Sequence, residues 1–392
     1  MNTIQVESQF TSGAYGKRDV AIVRGAGATV WDENGRSLID CVAGIGVANV
    51  GHCHPTVANA IAQQAQTLIT APEMVYNDQR AQLLTRLANS LPGDLNRLFL
   101  CNSGTEAVEG AIKFARLSTG RTEVIATMRG FHGRSLGSLS ATFNKKYRQP
   151  FMPLVPGFGH VPYGNIAKME AAITENTAAI ILEIVQGEGG VRVGDPEYLQ
   201  AVRQLCTERG VLLIVDEVQT GYGRTGTMFA CEYAGIEPDL ICLGKAIAGG
   251  VPMGAIGISD KVQNIKPGVH GSTFGGNALA CAAALAVLDV YEEEQLAARS
   301  KELGAYFQER LQEINSPLIR EVRGLGLMIG VELKIRAMEV VRGLMDCGVL
   351  SLTAGPTVLR LLPPLVISKE EIDTVVDAIT AVLVELAEEA NS

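Results

Sequence analysis

From about residue 98 onward, short apolar runs alternate with stretches of helical pattern, the runs falling at 98–101, 124–128, 179–185, 212–216, 240–243 and 255–258. Strands separated by helix-length segments are joined by crossovers, so the sheet they form is mostly parallel and carries helices on its faces. Its interior must come from small and branched aliphatic side chains, because hydrophobic residues are 47% of the chain and aromatic residues only 5%. At 392 residues the chain exceeds the size at which one hydrophobic core usually stops growing, which predicts two domains.

After Asn277 the pattern changes to a long helix through Glu292, Glu293 and Glu294, then strand-like runs at 329–333 and 359–362, then a final helix. This reads as a second, smaller α+β domain. Ser368 and Glu371 stand in capping-box spacing at the start of the last helix. The first 50 residues, with a strand–turn–strand at 28–38 around Asn34 and Gly35, fit either domain. No period of 20 to 50 residues repeats, which argues against a solenoid.

Several function classes drop out. A formal net charge of -9 disfavours a broad electrostatic grip on nucleic acid or a polybasic membrane patch, and favours a small-molecule partner. The start, Met1-Asn2-Thr3-Ile4-Gln5, lacks the basic-then-apolar pattern of a signal peptide, and the uncharged run 271–288 is broken by Ser272, Thr273, Gly275, Gly276 and Asn277. Eight cysteines without a C-x-x-C pair suggest neither a disulfide framework nor a zinc site, and point to a reducing cytoplasm. In His52-Cys53-His54 adjacent residues point in different directions and no second ligand pair is spaced for a metal, so none is expected.

Three strand ends carry chemistry. Asn102-Ser103-Gly104-Thr105-Glu106 follows one strand and opens a helix, with Ser103 and Glu106 in capping spacing; Gly104 and Thr105 would offer free N–H groups to a phosphate, although an ordinary capped helix has the same letters. Asp216, in Asp216-Glu217-Val218-Gln219-Thr220-Gly221, ends an apolar strand at the crevice where open α/β sheets bind ligands, and its burial calls for a cation such as a protonated pyridine nitrogen. Lys245, in Leu243-Gly244-Lys245, ends another; a desolvated lysine of lowered pKa suits Schiff-base chemistry, while a lysine reaching to solvent is the commoner case. Two glycine patterns imitate a dinucleotide fingerprint. Gly25-Ala26-Gly27-Ala28 lacks the third glycine and leads into a turn, and the 221–226 run has no acidic residue about twenty positions on, leaving a nicotinamide dehydrogenase as the weaker enzyme reading.

Taken together, Asn-Ser-Gly-Thr-Glu-Ala from 102, Gly-Phe-His-Gly-Arg from 130, Asp-Glu-Val-Gln-Thr-Gly from 216, Gly244-Lys245 and Ser-Thr-Phe-Gly-Gly-Asn from 272 resemble the class III (subgroup II) aminotransferases. The likeness runs from about Gly51 to Leu365 and is strongest to the enzymes of N-acetylornithine and of carrier-protein-linked aminoadipate semialdehyde. It implies the fold type I architecture, with a large pyridoxal 5'-phosphate-binding domain at 50–285 and a small domain made by 1–49 and 286–392. It also implies a homodimer with shared active sites.

By that resemblance Lys245 would hold the cofactor as a Schiff base and move the proton, and Asp216 would pair with the ring nitrogen. Gly104 and Thr105 would bind the phosphate, joined by Thr273 from the neighbouring subunit. Phe131 and Val218 would cover the two ring faces, and Gln219 would reach the phenolic oxygen. Arg134 and Arg360 would anchor substrate carboxylates, Glu188 would gate Arg360 while the amine donor is bound, and Ser272 would lie at the substrate. The expected reaction is N-acetylornithine with 2-oxoglutarate, in arginine biosynthesis. The alternative is the carrier-linked lysine-pathway substrate, for which an acidic carrier would need a basic rim including Lys145, Lys146 and Arg148. Other ω-amino donors (ornithine, 4-aminobutyrate) and a non-catalytic binding protein of the same fold stay open at this point.

Overall fold

In the computed structural model, which describes residues 2–389, the central sheet has seven strands. Met1 and residues 390–392, which the expected small domain includes, lie outside the described residues. The spatial order is Arg97–Cys101, Gly254–Ile258, Leu240–Leu243, Leu212–Asp216, Thr177–Leu182, Glu123–Thr127, Phe158–Val161. Leu212–Asp216 pairs in parallel with both its neighbours, whereas Gly254–Ile258 runs antiparallel to both of its own. Every residue of Thr177–Leu182, Leu212–Asp216, Leu240–Leu243 and Gly254–Ile258 is buried, as a sheet covered on both faces requires.

Strand periodicity divides those side chains between two cores. Leu213, Val215, Ile241 and Leu243 pack toward the helices Pro196–Arg209 and Ala278–Glu293, while Leu212, Ile214, Leu240, Cys242 and Ile256 pack toward Gly104–Thr119. The Gly104–Thr119 helix is capped by Ser103 and stopped by Gly120 at φ 68°, a left-handed position that glycine takes at little cost.

Three expectations need adjusting. The long helix expected through 292–294 ends at Glu293, and a second helix, Leu296–Gln312, follows Gln295 at φ 52°. Three acidic residues at a helix C-terminus oppose its dipole, which is a physical reason to stop there. The expected strand at 179–185 stops at Leu182, and Val185–Gln186 instead forms a short ribbon with Arg192–Val193. The edge strand Phe158–Val161 was not anticipated, because its four residues include a glycine and a histidine and show no apolar alternation.

Both chain ends share structure. Ile22–Ala26, Thr29–Asp32 and Ser37–Asp40 form a meander whose last strand pairs in parallel with Val349–Leu350. A four-stranded antiparallel sheet contains Ile319–Leu325, Met328–Leu333, Val358–Leu361 and Leu352–Thr353. The capping box at the last helix forms as expected, Ser368 N donating to Glu371 Oε2 at 2.8 Å and Glu371 N to Ser368 Oγ at 3.1 Å. Both glycine decoys resolve into structural roles. Gly27, at φ 57°, turns a hairpin, and the 221–226 run delivers Arg224, which is fully buried. Its guanidinium donates to Leu327 O at 2.9 Å, to Pro363 O at 2.5 Å and to Asn49 Oδ1 at 2.6 Å, tying both chain ends to the segment after Asp216. Among the described residues no helix is long and apolar enough to cross a membrane.

Candidate active site

The loops that follow three strands converge at one edge of the sheet, the crevice beyond the carboxyl ends of its parallel strands. A Cβ built on Gly104 would lie 2.4 Å from Val218 Cγ1, and one on Gly244 would lie 3.1 Å from Gly104 Cα. Only glycine lets the Asn102–Glu106, Asp216–Gln219 and Gly244–Lys245 segments approach this closely.

At one end of the crevice sits the start of the Gly104–Thr119 helix. Ser103 Oγ accepts from Glu106 N at 3.3 Å, and Glu106 Oε2 reaches one residue further back than a standard capping box, accepting from Asn102 N at 2.6 Å. The N–H groups of Gly104 and Thr105 find no protein acceptor among the described residues. Together with the helix dipole they form a ready anion site. The Thr105 hydroxyl is spent on the protein: it pairs with Ser135 Oγ at 2.8 Å and Ser138 Oγ at 2.7 Å and accepts from Arg134 N and Ser135 N, each at 3.3 Å. It thereby fastens the loop that carries Arg134.

At the centre, Asp216 is 5% exposed; its Oδ1 accepts from Val218 N at 3.1 Å, and its Oδ2 lies 2.8 Å from Nδ1 of His132. Burial opposes charge on that imidazole, but the hydrogen bond to Asp216 and the charges of Asp216 and Glu183 outweigh it and hold its pKa above the ordinary histidine value. Glu183 Oε2 accepts from Phe131 N at 3.0 Å, fixing the backbone beside the Phe131 ring. Burial pushes the Glu183 carboxyl up to about 7, with His132 pulling the other way.

Neither His132 nor Glu183 was singled out from sequence. His132 stood in the Gly-Phe-His-Gly-Arg motif as a bystander, and the signal for Glu183 was a carboxylate interrupting an otherwise apolar buried run. A Glu183→Gln variant tests the buried charge. Since the folded pKa lies above the unfolded one, the contribution of Glu183 is full below about 4.5 and is lost as pH rises through about 7. The Tm difference, wild type minus variant, is expected to fall across that window; a flat difference would contradict the assignment.

Lys245 follows directly, at φ 46° in a 3-10 turn, Lys245–Ala248. A non-glycine residue in this region costs of order 1 kcal/mol or more, so the surrounding packing holds it there. Among the described residues its Nζ has no hydrogen-bond or ion-pair partner. Burial lowers its pKa from the usual lysine value; the Asp216 charge opposes that shift and Arg360 adds to it.

At the outer end Arg360 is 2% exposed, and its NH2 donates to Glu188 Oε1 at 2.6 Å. Gln219 spans the same place, its Oε1 accepting from Arg360 at 3.4 Å and its Nε2 donating to Ile45 O at 3.4 Å. Arg134 is exposed and stacked on Tyr147. Ser272 Oγ accepts from Asn102 Nδ2 at 3.0 Å and from Gly275 N at 3.1 Å, so it ties its own turn to the Asn102 loop. Thr273 is exposed on that turn.

His52 and His54 engage carboxylates on different elements, Asp40 at 2.7 Å and Glu294 at 2.9 Å. The site itself suits pyridoxal phosphate on three counts: orphan amides for a phosphate, a buried carboxylate for a pyridinium, and a lysine amine with no hydrogen-bond or ion-pair partner among the described residues.

Comparison with known proteins agrees. The pattern of the family described as aminotransferase class-III matches residues 12–383. The chain is 53% identical to the "[LysW]-aminoadipate semialdehyde transaminase" of Deinococcus radiodurans, over 97% of this chain and 90% of that protein. It is 50% identical to the acetylornithine aminotransferase of Methanosarcina acetivorans, over 96% and 95% respectively. Among solved structures, the ornithine aminotransferase of Toxoplasma gondii superposes with a TM-score of 0.95 at 36% identity, covering 99% of this chain and 95% of that one. The chain belongs to the class-III aminotransferases. It is a pyridoxal-phosphate-dependent transaminase with the fold type I architecture.

Proposed function

We propose that this transaminase moves the terminal amine of N2-acetyl-L-ornithine to 2-oxoglutarate, giving N-acetyl-L-glutamate 5-semialdehyde and L-glutamate, a step of arginine biosynthesis. The observation that carries the reading is the closed Arg360–Glu188 pair, together with an Arg134 guanidinium that makes no hydrogen bond or ion pair among the described residues. With Arg360 occupied, a donor's α-carboxylate goes to Arg134, and the amine at the far end of the donor is the one presented to Lys245. If Arg360 were always free it would take that carboxylate and present the wrong nitrogen. 2-Oxoglutarate, with two carboxylates, uses both arginines once Glu188 swings away. The M. acetivorans relative, named for acetylornithine, supports the same choice.

Bound pyridoxal phosphate supplies the electron sink for the carbon that loses its proton. The Gly104 and Thr105 amides would hold its phosphate, Phe131 and Val218 would enclose its ring, and Gln219 would reach its phenolic oxygen. Asp216 would pair with the ring nitrogen and favour its protonated form, and the hydrogen bond from His132 at 2.8 Å holds the Asp216 carboxylate in place. Lys245 would hold the cofactor, and its Nζ, with a pKa lowered by burial, would take the proton from the substrate carbon that bears the amine.

Thr273 is assigned to the phosphate site of a second copy, with Ser272 holding its turn. Support comes from the adjacent Phe274, an apolar side chain that is 64% exposed. In the same reading 50–285 form the cofactor domain and the two chain ends the smaller one. The free state of all eight cysteines supports a cytoplasmic location.

The D. radiodurans relative favours a second reading, a carrier-linked aminoadipate semialdehyde. One methylene separates the two side chains, worth only about 1–3 kcal/mol, so length discriminates weakly. A carrier would be felt at the mouth, where Lys145 and Lys146 lie exposed on the turn beside Arg134. The deciding measurement is kcat/KM for free N-acetylornithine against the carrier-linked substrate at low and high salt. The free donor is expected to be used efficiently with little salt dependence; a carrier preference of about a hundredfold or more, lost as salt rises, would replace the first reading with the second.

A further inference from the structure

Arg134 is the exposed partner in the proposed pair of carboxylate anchors, and what holds it is unusual. Its backbone N–H donates to Thr105 Oγ1 at 3.3 Å, but among the described residues its guanidinium makes no hydrogen bond and no ion pair. Instead its Cζ lies 3.8 Å from the centroid of the Tyr147 ring and 5.5 Å from that of Phe131. Those two rings meet edge to face, with centroids 5.9 Å apart and planes at 85°.

A guanidinium held through its flat face keeps all its in-plane N–H donors free, and those are the donors a carboxylate needs. An arginine held by a salt bridge would have to break it first, as Arg360 does with Glu188. An exposed arginine held by nothing would have to lose its rotamer freedom on binding. The stack on Tyr147 avoids both costs.

Tyr147 is itself fixed. It lies on the Lys145–Arg148 turn, where Asn144 Oδ1 accepts from Lys146 N at 3.0 Å and Asn144 O accepts from Tyr147 N at 3.0 Å. No described residue pairs with its hydroxyl, so the ring face is what the fold uses.

The geometry points to Tyr147 as a positioning residue for substrate selection: its ring pre-orients the Arg134 guanidinium for the carboxylate of the amine donor. This rests on the reading of Arg134 as the donor-carboxylate anchor, and it gives the 145–148 turn a role independent of its positive charge.

The test uses the cofactor-loaded enzyme and two donors of the same chain length, N-acetyl-L-ornithine and N-acetyl-1,4-diaminobutane, which lacks the carboxylate. The second is read by turnover, or as a competitive inhibitor where turnover is too slow to follow. Tyr147→Leu leaves Lys145, Lys146 and Arg148 in place. It is expected to raise KM for the carboxylate-bearing donor by about tenfold, with kcat changed by less than about threefold and the carboxylate-free compound unaffected. Tyr147→Phe is expected to restore the original KM. Should Tyr147→Leu fail to fold, Tyr147→Met must show the same split. Equal effects on both compounds, an unchanged KM in the leucine variant, or no rescue by phenylalanine would overturn the inference. Arg134→Ala separates the two claims. If it erases the preference for the carboxylate while Tyr147→Leu does not, only the role of Tyr147 fails; if it leaves that preference intact, the anchor reading fails.

Discussion

Replacing Lys245 with alanine is expected to remove turnover by at least about a thousandfold and to abolish the visible absorption of the cofactor-loaded protein. The expectation rests on position. Lys245 emerges from the buried strand Leu240–Leu243 beside Gly104, Val218 and Asp216, and packing holds it at φ 46°. Three other lysines are engaged elsewhere: Lys113 with His270 at 2.8 Å, Lys261 with Asp239 at 3.3 Å and Lys369 with Glu302 at 2.9 Å. On the proposed assignment, removing this one amine removes both the attachment point and the base. Full activity in the alanine variant would sink the assignment, and so would an unchanged spectrum.

The second large effect is expected at Asp216. An Asp216→Asn change keeps the size of the side chain and removes its charge. On the proposed assignment the ring nitrogen then loses the partner that favours its protonated form, and kcat should fall by roughly a thousandfold while the protein still folds and takes up cofactor. His132 sharpens this expectation, since its raised pKa depends largely on the Asp216 charge, so its titration should move down in the variant when followed by NMR of labelled histidine. A variant with the original kcat would show that the carboxylate does not serve the ring.

Much of this was legible in the sequence because buried strands have a simple signature. The runs at 212–216 and 240–243 match the strands residue for residue, and their ends placed Asp216 and Lys245 at one edge of the sheet. The Glu188–Arg360 contact spans 172 positions and was anticipated only through family resemblance. Composition and periodicity contain nothing that pairs those two residues. What escaped were interactions whose partners are ordinary residue types brought together by loops. Nothing in the spacing of Thr105, Ser135 and Ser138 announces a hydroxyl cluster, and a tyrosine thirteen positions after Arg134 gives no sign of lying under its guanidinium. Boundaries failed where charge or a short edge decided them, as at Glu293 and in Phe158–Val161.

Whether Lys245 is the residue that carries the cofactor can be read directly. Borohydride reduction of the pyridoxal-phosphate-loaded protein fixes the cofactor to whichever lysine holds it, and mass spectrometry of a digest locates the added mass. The mass is expected on the peptide containing Lys245, in proportion to the cofactor bound and absent after prior incubation with excess amine donor. Label on any other lysine, or none on a protein that binds the cofactor and turns over, would contradict the account.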